Sequence, residues 1–365
     1  MHSPAKFLFI MDPAATLNLK TETSLLLMQE LIDRQHHVYW LQQEDIALYH
    51  DQPMGKVYPV SGTEPLQRGP AAWENLNGFD AVLVRKDPPF DTVFLQLTLI
   101  LDHLDPRIAQ FNEVRALRDF NEKILPLRWP GFTPPTLISM NAGEISQFVQ
   151  EHGSVVVKPL NDCSGRGIRK IDFDTSGDFR VRIEEALRDE QGRLRFLVAQ
   201  KFLSAVSQGD KRVYLVNGEP FGMVNRVPGE GSFLANIHQG ATCESTSLDD
   251  REKQIITAIA PFLREHGIFL AGADFIGGYL TELNITSPSA IRQINEVSGE
   301  SIHRRIVDAM LEYMGINGSA LQQSTAAPAH LRTVKRTRVA RPRVAVAGFD
   351  GAGCSDVGFG DGKTG

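Results

Sequence analysis

The chain has 365 residues, 42% of them hydrophobic and 22% charged, the composition of an ordinary globular protein long enough for two or three domains. Its formal net charge of −6 argues against a nucleic-acid partner, because phosphate backbones attract basic surfaces. No apolar run reaches the roughly 20 residues that a membrane helix needs, and Phe7 to Met11 is too short for a secretory signal. Cys163, Cys243 and Cys354 show neither disulfide nor zinc spacing, so we expect a cytoplasmic protein without a membrane partner.

The first third of the chain has the element order of a parallel sheet. The patterns predict strands at Lys6 to Met11, His37 to Leu41 and Ala81 to Val84, with a helix at Thr23 to Arg34 between the first two. We therefore predict an α/β fold that begins with a Rossmann-like parallel-sheet domain over residues 1–121.

Polar residues follow two of these strands, at the sheet edge where parallel sheets bind ligands. Asp12 follows the first strand, and Arg85 and Lys86 precede the rigid turn Pro88-Pro89. Two cations beside such a turn suit the binding of a substrate carboxylate. Asp12 is explained equally well as a residue that caps a turn.

A linker into a second domain is predicted shortly after Lys123. This lysine lies near the end of a predicted helix, Val114 to Leu125, where a lysine usually complements the helix dipole. The proline-rich stretch Pro126 to Thr136 predicts a linker. A helix is then expected at Ala142 to His152.

A glycine-rich turn between two strands predicts a phosphate-binding flap. The β-branched run Ser154 to Val157 leads to Lys158 and to the turn Ser164 to Ile168, and a return strand follows at Lys170 to Phe173. Glycine allows backbone N–H groups to approach phosphate oxygens closely. The turn is neither a Walker loop nor a dinucleotide fingerprint, and a tight hairpin without a ligand explains it almost equally well.

Arg195 to Phe202 predicts a strand at a sheet edge, a type of segment whose backbone often contacts adenine. Next, Asn217-Gly218 is a strong hairpin signal, and Arg212 and Arg226 flank this hairpin. Exposed arginines usually have no function, so each alone says little. Gly229 to Ala241 is glycine-rich and polar, which predicts a mobile loop able to cover a site.

The end of the chain divides into helical patterns and a low-complexity segment. Asp249 to His266 has the periodicity of an amphipathic helix, and Ser301 to Met314 predicts a closing helix. From Asn317 onward the composition turns to small, polar and basic residues, so residues 317–365 are predicted to form a disordered tail.

Gly272 to Pro288 contains two apolar runs around Gly277-Gly278, which predicts a β-hairpin. Asp274, Glu282 and Asn284 carry the oxygen ligands that Mg²⁺ prefers. A two-residue loop turns Asp274 away from Glu282, whereas a three-residue loop, Gly277 to Tyr279, places both on one face. A metal site therefore predicts the three-residue loop; the alternative is a half-exposed hairpin with a polar face.

Taken in order, these stretches resemble the ATP-grasp superfamily, and more closely the bacterial-type glutathione synthetases. The resemblance runs from about Phe7 to Met314. The stretches that carry it are MDPAATLNLK, VRKDPPFD, LRDFNEK, VVKPLNDCSGRGI, GDKRVYLVNGEP, NRVP and ADFIGGYLTELNITSPSAIRQI.

The resemblance implies a two-lobed, α+β ATP-grasp domain over residues 122–316, with a flap lobe at about 136–202 and a metal and substrate lobe at about 203–316. It implies ATP and Mg²⁺ (or Mn²⁺) as cofactors, γ-glutamylcysteine and glycine as substrates, and a homo-oligomer. ATP-binding residues are implied at Lys123, Lys158, Ser164, Gly165, Arg166, Gly167, Gln200, Lys201, Phe202 and Leu203.

The remaining roles follow in the same way. Metal ligands are implied at Asp274, Glu282 and Asn284, and catalytic arginines at Arg212 and Arg226. Substrate-binding residues are implied at Asp12, Arg85, Lys86, Asn236, Ser287 and Pro288.

The lid sequence FLANIHQG departs from the family pattern at Leu234, where an arginine is expected. Similar lids occur in ATP-grasp enzymes that join amino acids to other peptides or carboxylates. Two alternatives therefore stay open: an ATP-grasp carboxylate–amine ligase of another specificity, and a nucleotide-binding protein without turnover.

Overall fold

Three β-sheets form the framework of the protein. The computed structural model describes residues 3–18, 21–161, 165–235 and 240–316, and these belong to one compact unit. The predicted tail lies outside the described residues. None of the described helices combines the length and the apolar character that a bilayer crossing requires.

The first sheet contains a parallel centre and an antiparallel extension. Its strands are β1 (Lys6–Met11), β2 (His37–Gln42), β3 (Ile46–Tyr49), β4 (Gln52–Thr63), β5 (Leu66–Arg68), β6 (Ala72–Asn75), β7 (Ala81–Val84) and β8 (Ala109–Phe111). The order is β3-β4-β2-β1-β7-β8, with β5 and β6 also paired to β4. The parallel pairing of β2, β1, β7 and β8 confirms the prediction.

The sequence patterns did not predict the antiparallel strands β3 to β6. β4 runs antiparallel to β2 and extends the sheet beyond its parallel centre. The helices of this region are α1 (Ser24–Asp33), α2 (Thr92–Leu101) and α3 (Val114–Asp119).

The predicted helix Val114 to Leu125 is too long. The helix ends at Asp119, because Phe120 has extended backbone angles (φ −122°, ψ 124°). The side chain of Asn121 then accepts hydrogen bonds from the N–H groups of Lys123 and Ile124, at 3.0 and 3.3 Å. These side-chain hydrogen bonds replace the backbone hydrogen bonds of a continuing helix. Lys123 therefore lies in a turn.

The second sheet is antiparallel and has its own core. It consists of β9 (Thr136–Ser139), β10 (Ser154–Pro159), β11 (Arg169–Asp172) and β12 (Leu197–Lys201), in the order β11-β10-β12-β9. Helices α4 (Ala142–His152) and α5 (Asp178–Ala186) pack against it, and Ile145, Val155 and Phe179 belong to a core separate from the other two. The prediction that Arg195 to Phe202 lies at a sheet edge is wrong, because β9 pairs along the free side of β12.

The third sheet carries the predicted metal hairpin. Its strands are β13 (Asp210–Val216), β14 (Glu219–Val227), β15 (Thr242–Glu244), β16 (Leu270–Ile276) and β17 (Tyr279–Asn284), in the order β15-β14-β13-β16-β17. The helices are α6 (Asp250–Glu265), α7 (Ile291–Ser298) and α8 (Ile302–Tyr313). Both long helices predicted from periodicity, α6 and α8, are confirmed.

The first and third sheets share their cores. Leu8 and Val82 of the first sheet belong to the same buried cluster as Val213 and Leu283 of the third. The buried side chain of Asn112 joins them by polar contacts, donating to the carbonyls of Leu270 (2.7 Å) and Ile285 (2.6 Å). The flap lobe, with its separate core, is therefore the part of the described chain that is least tied to the rest.

Candidate active site

A cavity of about 570 Å³, a size that suits a small-molecule site, is lined by residues of the second and third sheets and by the segments that follow β1 and β7 of the first. The predicted residues that line it are Asp12, Arg85, Lys86, Lys123, Lys158, Gly165, Arg166, Gln200, Lys201, Phe202, Leu203, Arg212, Arg226, Asp274, Glu282, Asn284 and Ser287. Pro288 contacts this group through its carbonyl, which accepts a hydrogen bond from Arg85. Gly167 does not line the cavity, and Ser164 and Asn236 lie outside the described residues.

The hairpin β16–β17 places the predicted metal ligands on one face, but its loop and its register differ from the prediction. Its loop has two residues, since Ile276 pairs with Tyr279, and Gly277 and Gly278 take the positive φ values (57° and 77°) of a type I′ turn. The predicted three-residue loop is therefore wrong. A β-bulge at Thr281 shifts the register by one residue, so that Asp274 still lies opposite Glu282.

Asp274 is the centre of a buried ion cluster. Arg212 donates to both carboxylate oxygens, Nε to Oδ1 at 2.7 Å and Nη2 to Oδ2 at 2.6 Å. Arg226 lies 3.2 Å from Oδ1 and also pairs with Asp210 at 2.8 Å. Both arginines are buried, at 8% and 3% exposure, so they are not the exposed cations that the sequence alone suggested.

The two carboxylates of the cluster, Asp274 and Asp210, have pKa values shifted in opposite directions. Burial favours the neutral form of Asp274, but the charges of Arg212 and Arg226 outweigh it and lower the pKa to about 2. Burial raises the pKa of Asp210 to about 6, with the nearby charge of Asp274 adding to the effect against the attraction of Arg226. Asp274 is therefore the more firmly ionised of the two carboxylates that face the guanidinium groups.

The residues around Asp274 fit Mg²⁺ in part. A carboxylate offers about four lone-pair positions, and three of them accept hydrogen bonds: from Arg212 on Oδ1, and from Arg212 and Asn284 on Oδ2. Arg226 Nη2 lies 3.2 Å from Oδ1 as an ion pair and not as a hydrogen bond. Asn284 donates its amide nitrogen to Asp274 at 3.0 Å and to the Gly272 carbonyl at 3.3 Å. Its amide oxygen is thereby left for another ligand.

Glu282 carries the second candidate oxygen ligand. Its carboxylate lies 3.3 Å from Lys158 Nζ. Burial favours its neutral form, yet the charges of Lys158 and Lys123 outweigh burial and lower its pKa, which keeps it an anion. Glu282 and Asn284 thus fit a hard cation, whereas at Asp274 a cation competes with the charges of Arg212 and Arg226.

Lys123 is held in the cavity by its two neighbours, which sequence reasoning did not identify. Glu122 Oε1 accepts hydrogen bonds from Ile285 N (3.0 Å), Thr286 N (2.8 Å) and Thr286 Oγ1 (2.6 Å), just beyond β17. Asn121 donates to the carbonyl of Leu160, next to the end of β10. The triplet Asn121 to Lys123 therefore connects the metal hairpin to the flap lobe. The signal that the sequence offered for Asn121 and Glu122 was that they directly precede a predicted functional lysine.

The flap turn has the backbone shape that glycine provides. Gly165 and Gly167 have φ values of 79° and 67°, and a Cβ added at Gly167 would lie 2.8 Å from the ring of Pro159. Arg166 donates to the carbonyl of Pro88, at 3.3 Å. The flap therefore reaches the loop that follows β7.

The segment Gln200 to Leu203 lines the apolar part of the cavity together with Val156, Ile168 and Ile276. The ring of Phe202 lies between Lys170, 4.6 Å from its centroid, and Phe233 of the lid sequence, at 6.3 Å between centroids. The start of the lid sequence is thus in contact with this segment.

The ends of β1 and β7 are fastened to each other. Asp12 pairs with Lys86 at 3.3 Å and accepts the N–H of Asp87 at 2.8 Å. Asp12 therefore caps a turn and lines the cavity at the same time, so its two interpretations are compatible. Asp210, Glu22 and Gln293 also line the cavity and were not predicted as site residues.

Two family models match this chain. The N-terminal domain of prokaryotic glutathione synthetase matches residues 5–118, and the ATP-grasp domain of the same family matches residues 122–299. A glutathione synthetase of Synechococcus elongatus is 37% identical over 320 residues, covering 84% of this chain and 98% of the relative. That of Nitrosomonas europaea is 34% identical over 314 residues, covering 84% and 97%.

The chain belongs to the prokaryotic glutathione synthetase family. It is an ATP-dependent ligase that forms ADP. Solved structures agree on the fold: a D-cycloserine synthetase superposes with a TM-score of 0.61 at 15% identity, covering 84% of this chain and 99% of that one. D-alanyl-alanine synthetase A of Vibrio cholerae gives 0.55 at 16% identity, covering 86% and 99%.

Proposed function

We propose that this chain joins γ-glutamylcysteine to glycine with the hydrolysis of ATP to ADP and phosphate, through an acylphosphate. The observation that carries the proposal is the meeting, in one cavity, of Lys123 and Lys158 with Glu282 and with the buried pair Arg212 and Arg226. Such a set of charges suits phosphoryl transfer, in which a protein mainly positions groups and neutralises charge.

In the proposed first step, the cysteinyl carboxylate of the donor attacks the γ-phosphorus of ATP and ADP leaves. Lys123 and Lys158 bind the phosphate oxygens, and the flap with Gly165 covers them. When bound, Mg²⁺ at Glu282 and Asn284, with Asp274 as a third ligand, would neutralise phosphate charge.

In the second step, the amine of glycine attacks the acyl carbon of the acylphosphate, and phosphate leaves as the amide bond forms. The carbonyl oxygen gains negative charge in the tetrahedral intermediate. Arg212 and Arg226 are positioned to stabilise that charge, because both are buried where water does not screen them. The lid, Gly229 to Ala241, excludes the water that would hydrolyse the acylphosphate.

The proposal also covers the domain boundaries, the residues that bind each substrate and the cellular compartment. We assign residues 1–121 to an N-terminal domain and residues 122–316 to the ATP-grasp domain, which agrees with the gap between the two family matches at residues 118 and 122. Gln200 to Leu203 are proposed to hold adenine, and Asp12, Lys86, Asn236, Ser287 and Pro288 to surround the substrates. A donor with a free thiol also suits the reducing cytoplasm.

The test is release of ADP with γ-glutamylcysteine and glycine, each omitted in turn, with and without Mg²⁺. We expect release only when both substrates and the metal are present, together with equimolar glutathione. If that pair gives only background release while another donor–acceptor pair is turned over, the substrate assignment is wrong. The departure at Leu234, which lines the cavity, makes the acceptor the first substrate to vary.

A further inference from the structure

One carboxylate of the buried ion cluster is not used by either proposed step. Asp210 is the first residue of β13 and lies two positions before Arg212, so both side chains are on the same face of the strand. It also lies opposite Arg226 in the pairing of β13 with β14. Asp210 lines the cavity, and its side chain is 15% exposed. It is therefore a carboxylate beside the two arginines that are proposed to stabilise the tetrahedral intermediate.

The two carboxylate oxygens of Asp210 differ in their contacts. Oδ2 lies 2.8 Å from Arg226 Nη2. Oδ1 is closed off from bulk solvent and accepts no hydrogen bond from the described residues. A buried carboxylate oxygen without a donor is costly, and this oxygen belongs to a residue of the cavity wall. A ligand that donates an N–H group would supply the missing partner.

The surroundings of Asp210 allow it to gain and lose a proton near neutral pH. The charged side chains around it come from three strands: Arg226 of β14, Asp274 of β16 and Arg212 of β13. Burial raises its pKa to about 6, the charge of Asp274 adds to the rise, and the two arginines oppose it. A carboxylate with such a pKa is largely ionised at neutral pH, and it is a stronger base than an ordinary aspartate.

The neighbouring carboxylates are less able to take a proton. Asp274 has a pKa of about 2 and accepts two hydrogen bonds from Arg212. Glu282 is paired with Lys158, whose charge outweighs burial and helps to lower its pKa. Of the acidic side chains beside the catalytic cations, Asp210 is therefore the one that accepts a proton most readily.

The second proposed step requires a base. The amine of free glycine carries a proton in neutral solution, and an ammonium group has no lone pair with which to attack the acyl carbon. A base that removes this proton must lie within hydrogen-bond reach of the acceptor amine, which itself lies close to the acyl group that Arg212 and Arg226 are proposed to face.

We propose that Asp210 binds the ammonium group of the acceptor and is the general base of the second step. The inference rests on the proposed function. One ammonium proton passes to the carboxylate, and the freed lone pair forms the N–C bond while the carbonyl electrons move to the oxygen. When the intermediate collapses, the bond between the acyl carbon and the phosphate oxygen breaks, and phosphate leaves with that electron pair and the second proton of the nitrogen. The third proton stays on the amide, and the proton on Asp210 returns to water after the product leaves.

The test replaces glycine by hydroxylamine, which is largely neutral near neutral pH and attacks an acylphosphate without a base, giving a hydroxamate that ferric iron reports by colour. Both nucleophiles form a tetrahedral intermediate, so both need the two arginines. Asp210→Asn should lower glycine-dependent ADP release about 100- to 10,000-fold, the contribution of a general base, and leave hydroxamate formation within about 3-fold of the unmodified enzyme. Asp308→Asn removes an ion pair with Arg34 away from the cavity-lining residues and should change neither rate.

The pH dependence gives a second readout that needs no variant. In the unmodified enzyme, kcat with glycine should fall as the pH drops through about 6, because a protonated carboxyl group cannot act as the base. Hydroxamate formation at a fixed concentration of neutral hydroxylamine should lack this fall. In Asp210→Asn, raising the pH should partly restore turnover with glycine, since the neutral amine then becomes available from solution.

Equal losses with glycine and hydroxylamine in Asp210→Asn would overturn the inference, because Asp210 would then act only by holding Arg226. An acidic fall shared by the two nucleophiles in the unmodified enzyme would overturn it as well. The proposed function fails in a different way: if the unmodified enzyme releases no ADP from γ-glutamylcysteine with either nucleophile, the function itself is wrong and the role of Asp210 falls with it.

Discussion

At the scale of single residues, Asp274 shows how one side chain can serve two roles. The sequence suggests a metal ligand, and the structure shows the anion that holds Arg212 and Arg226 in the cavity. Because Arg212 donates to both carboxylate oxygens, a metal ion that binds Asp274 competes with an arginine for the same group. A substrate carboxylate or phosphate that attracts Arg212 or Arg226 would free an oxygen of Asp274.

We predict that Asp274→Asn lowers both stability and activity. The change leaves two buried guanidinium groups with less neutralisation, which should reduce the free energy of unfolding by about 3–5 kcal/mol in urea titrations. ADP release should fall by about 100- to 1,000-fold, the usual effect of losing one group that organises charge in the transition state.

The control is Asp102→Asn, which removes a partly exposed ion pair with Arg118. It should cost less than about 1 kcal/mol and leave turnover unchanged. Equal stabilities of the two variants would contradict the role of Asp274 as the neutralising anion.

At the scale of elements, the bulge in β17 decides which side chains face the cavity. Strand faces alternate with a period of two, so a single extra residue changes the face of everything beyond it. Thr281 is that extra residue; it donates a hydrogen bond to the carbonyl of Asp274 at 3.1 Å. Its buried side chain thus stabilises the irregularity that makes Glu282 face Asp274.

This geometry predicts opposite outcomes for two deletions in one strand. Deleting Thr281 removes the bulge, leaves Glu282 opposite Asp274, and should cost about 1 kcal/mol for the lost hydrogen bond while Mg²⁺-dependent turnover persists. Deleting Leu283 turns Asn284 toward the core and should lower turnover at least about 100-fold. ADP release against Mg²⁺ concentration measures both, and complete inactivity of the Thr281 deletion would show that the bulge has a further function.

At the scale of the whole molecule, the active site lies where separately folded parts meet. The flap lobe has its own core, whereas the first and third sheets share theirs. The triplet Asn121 to Lys123 connects these parts, with Asn121 bound to the flap lobe and Glu122 bound beyond β17. The position of Lys123 relative to Glu282 therefore depends on both connections.

We expect Glu122→Ala to raise the KM for ATP by about 100-fold, because a displacement of about 1 Å at a positioned group can cost that much. Glu122→Gln keeps an oxygen acceptor at the same place and should retain most of the affinity. Steady-state kinetics with varied ATP separate the two variants. Equal KM values in Glu122→Ala and the unmodified enzyme would mean that Lys123 is positioned by other contacts.

Truncation tests whether residues 317–365 take part in the reaction. The cavity-lining residues all precede residue 294, and the family match ends at residue 299. We therefore predict that a chain ending at Ile316 keeps the kcat and both substrate KM values of the full chain. A large loss of turnover would favour a function that acts through the basic tail.

Local sequence patterns were enough to assign many of the strands and helices, among them the hairpin β16–β17, and the charged residues at the centre of the cavity. A short continuous apolar run such as Lys6 to Met11 is typical of a buried strand in a covered sheet, and the periodicity of Asp249 to His266 suits one helical face. Lysines, arginines and carboxylates at strand ends and turns are recognisable because chemistry restricts residue type more strongly than packing does.

Tertiary structure alone decided how those residues are paired. The bulge at Thr281, the internal position of β12 and the pairing of Arg212 with Asp274 depend on contacts between residues far apart in the chain. Local patterns report which face of a strand is apolar, but not where an extra residue is accommodated or which charge meets which. Those outcomes follow from long-range pairing and from the cost of burying each charged group, and both exist only in the folded protein.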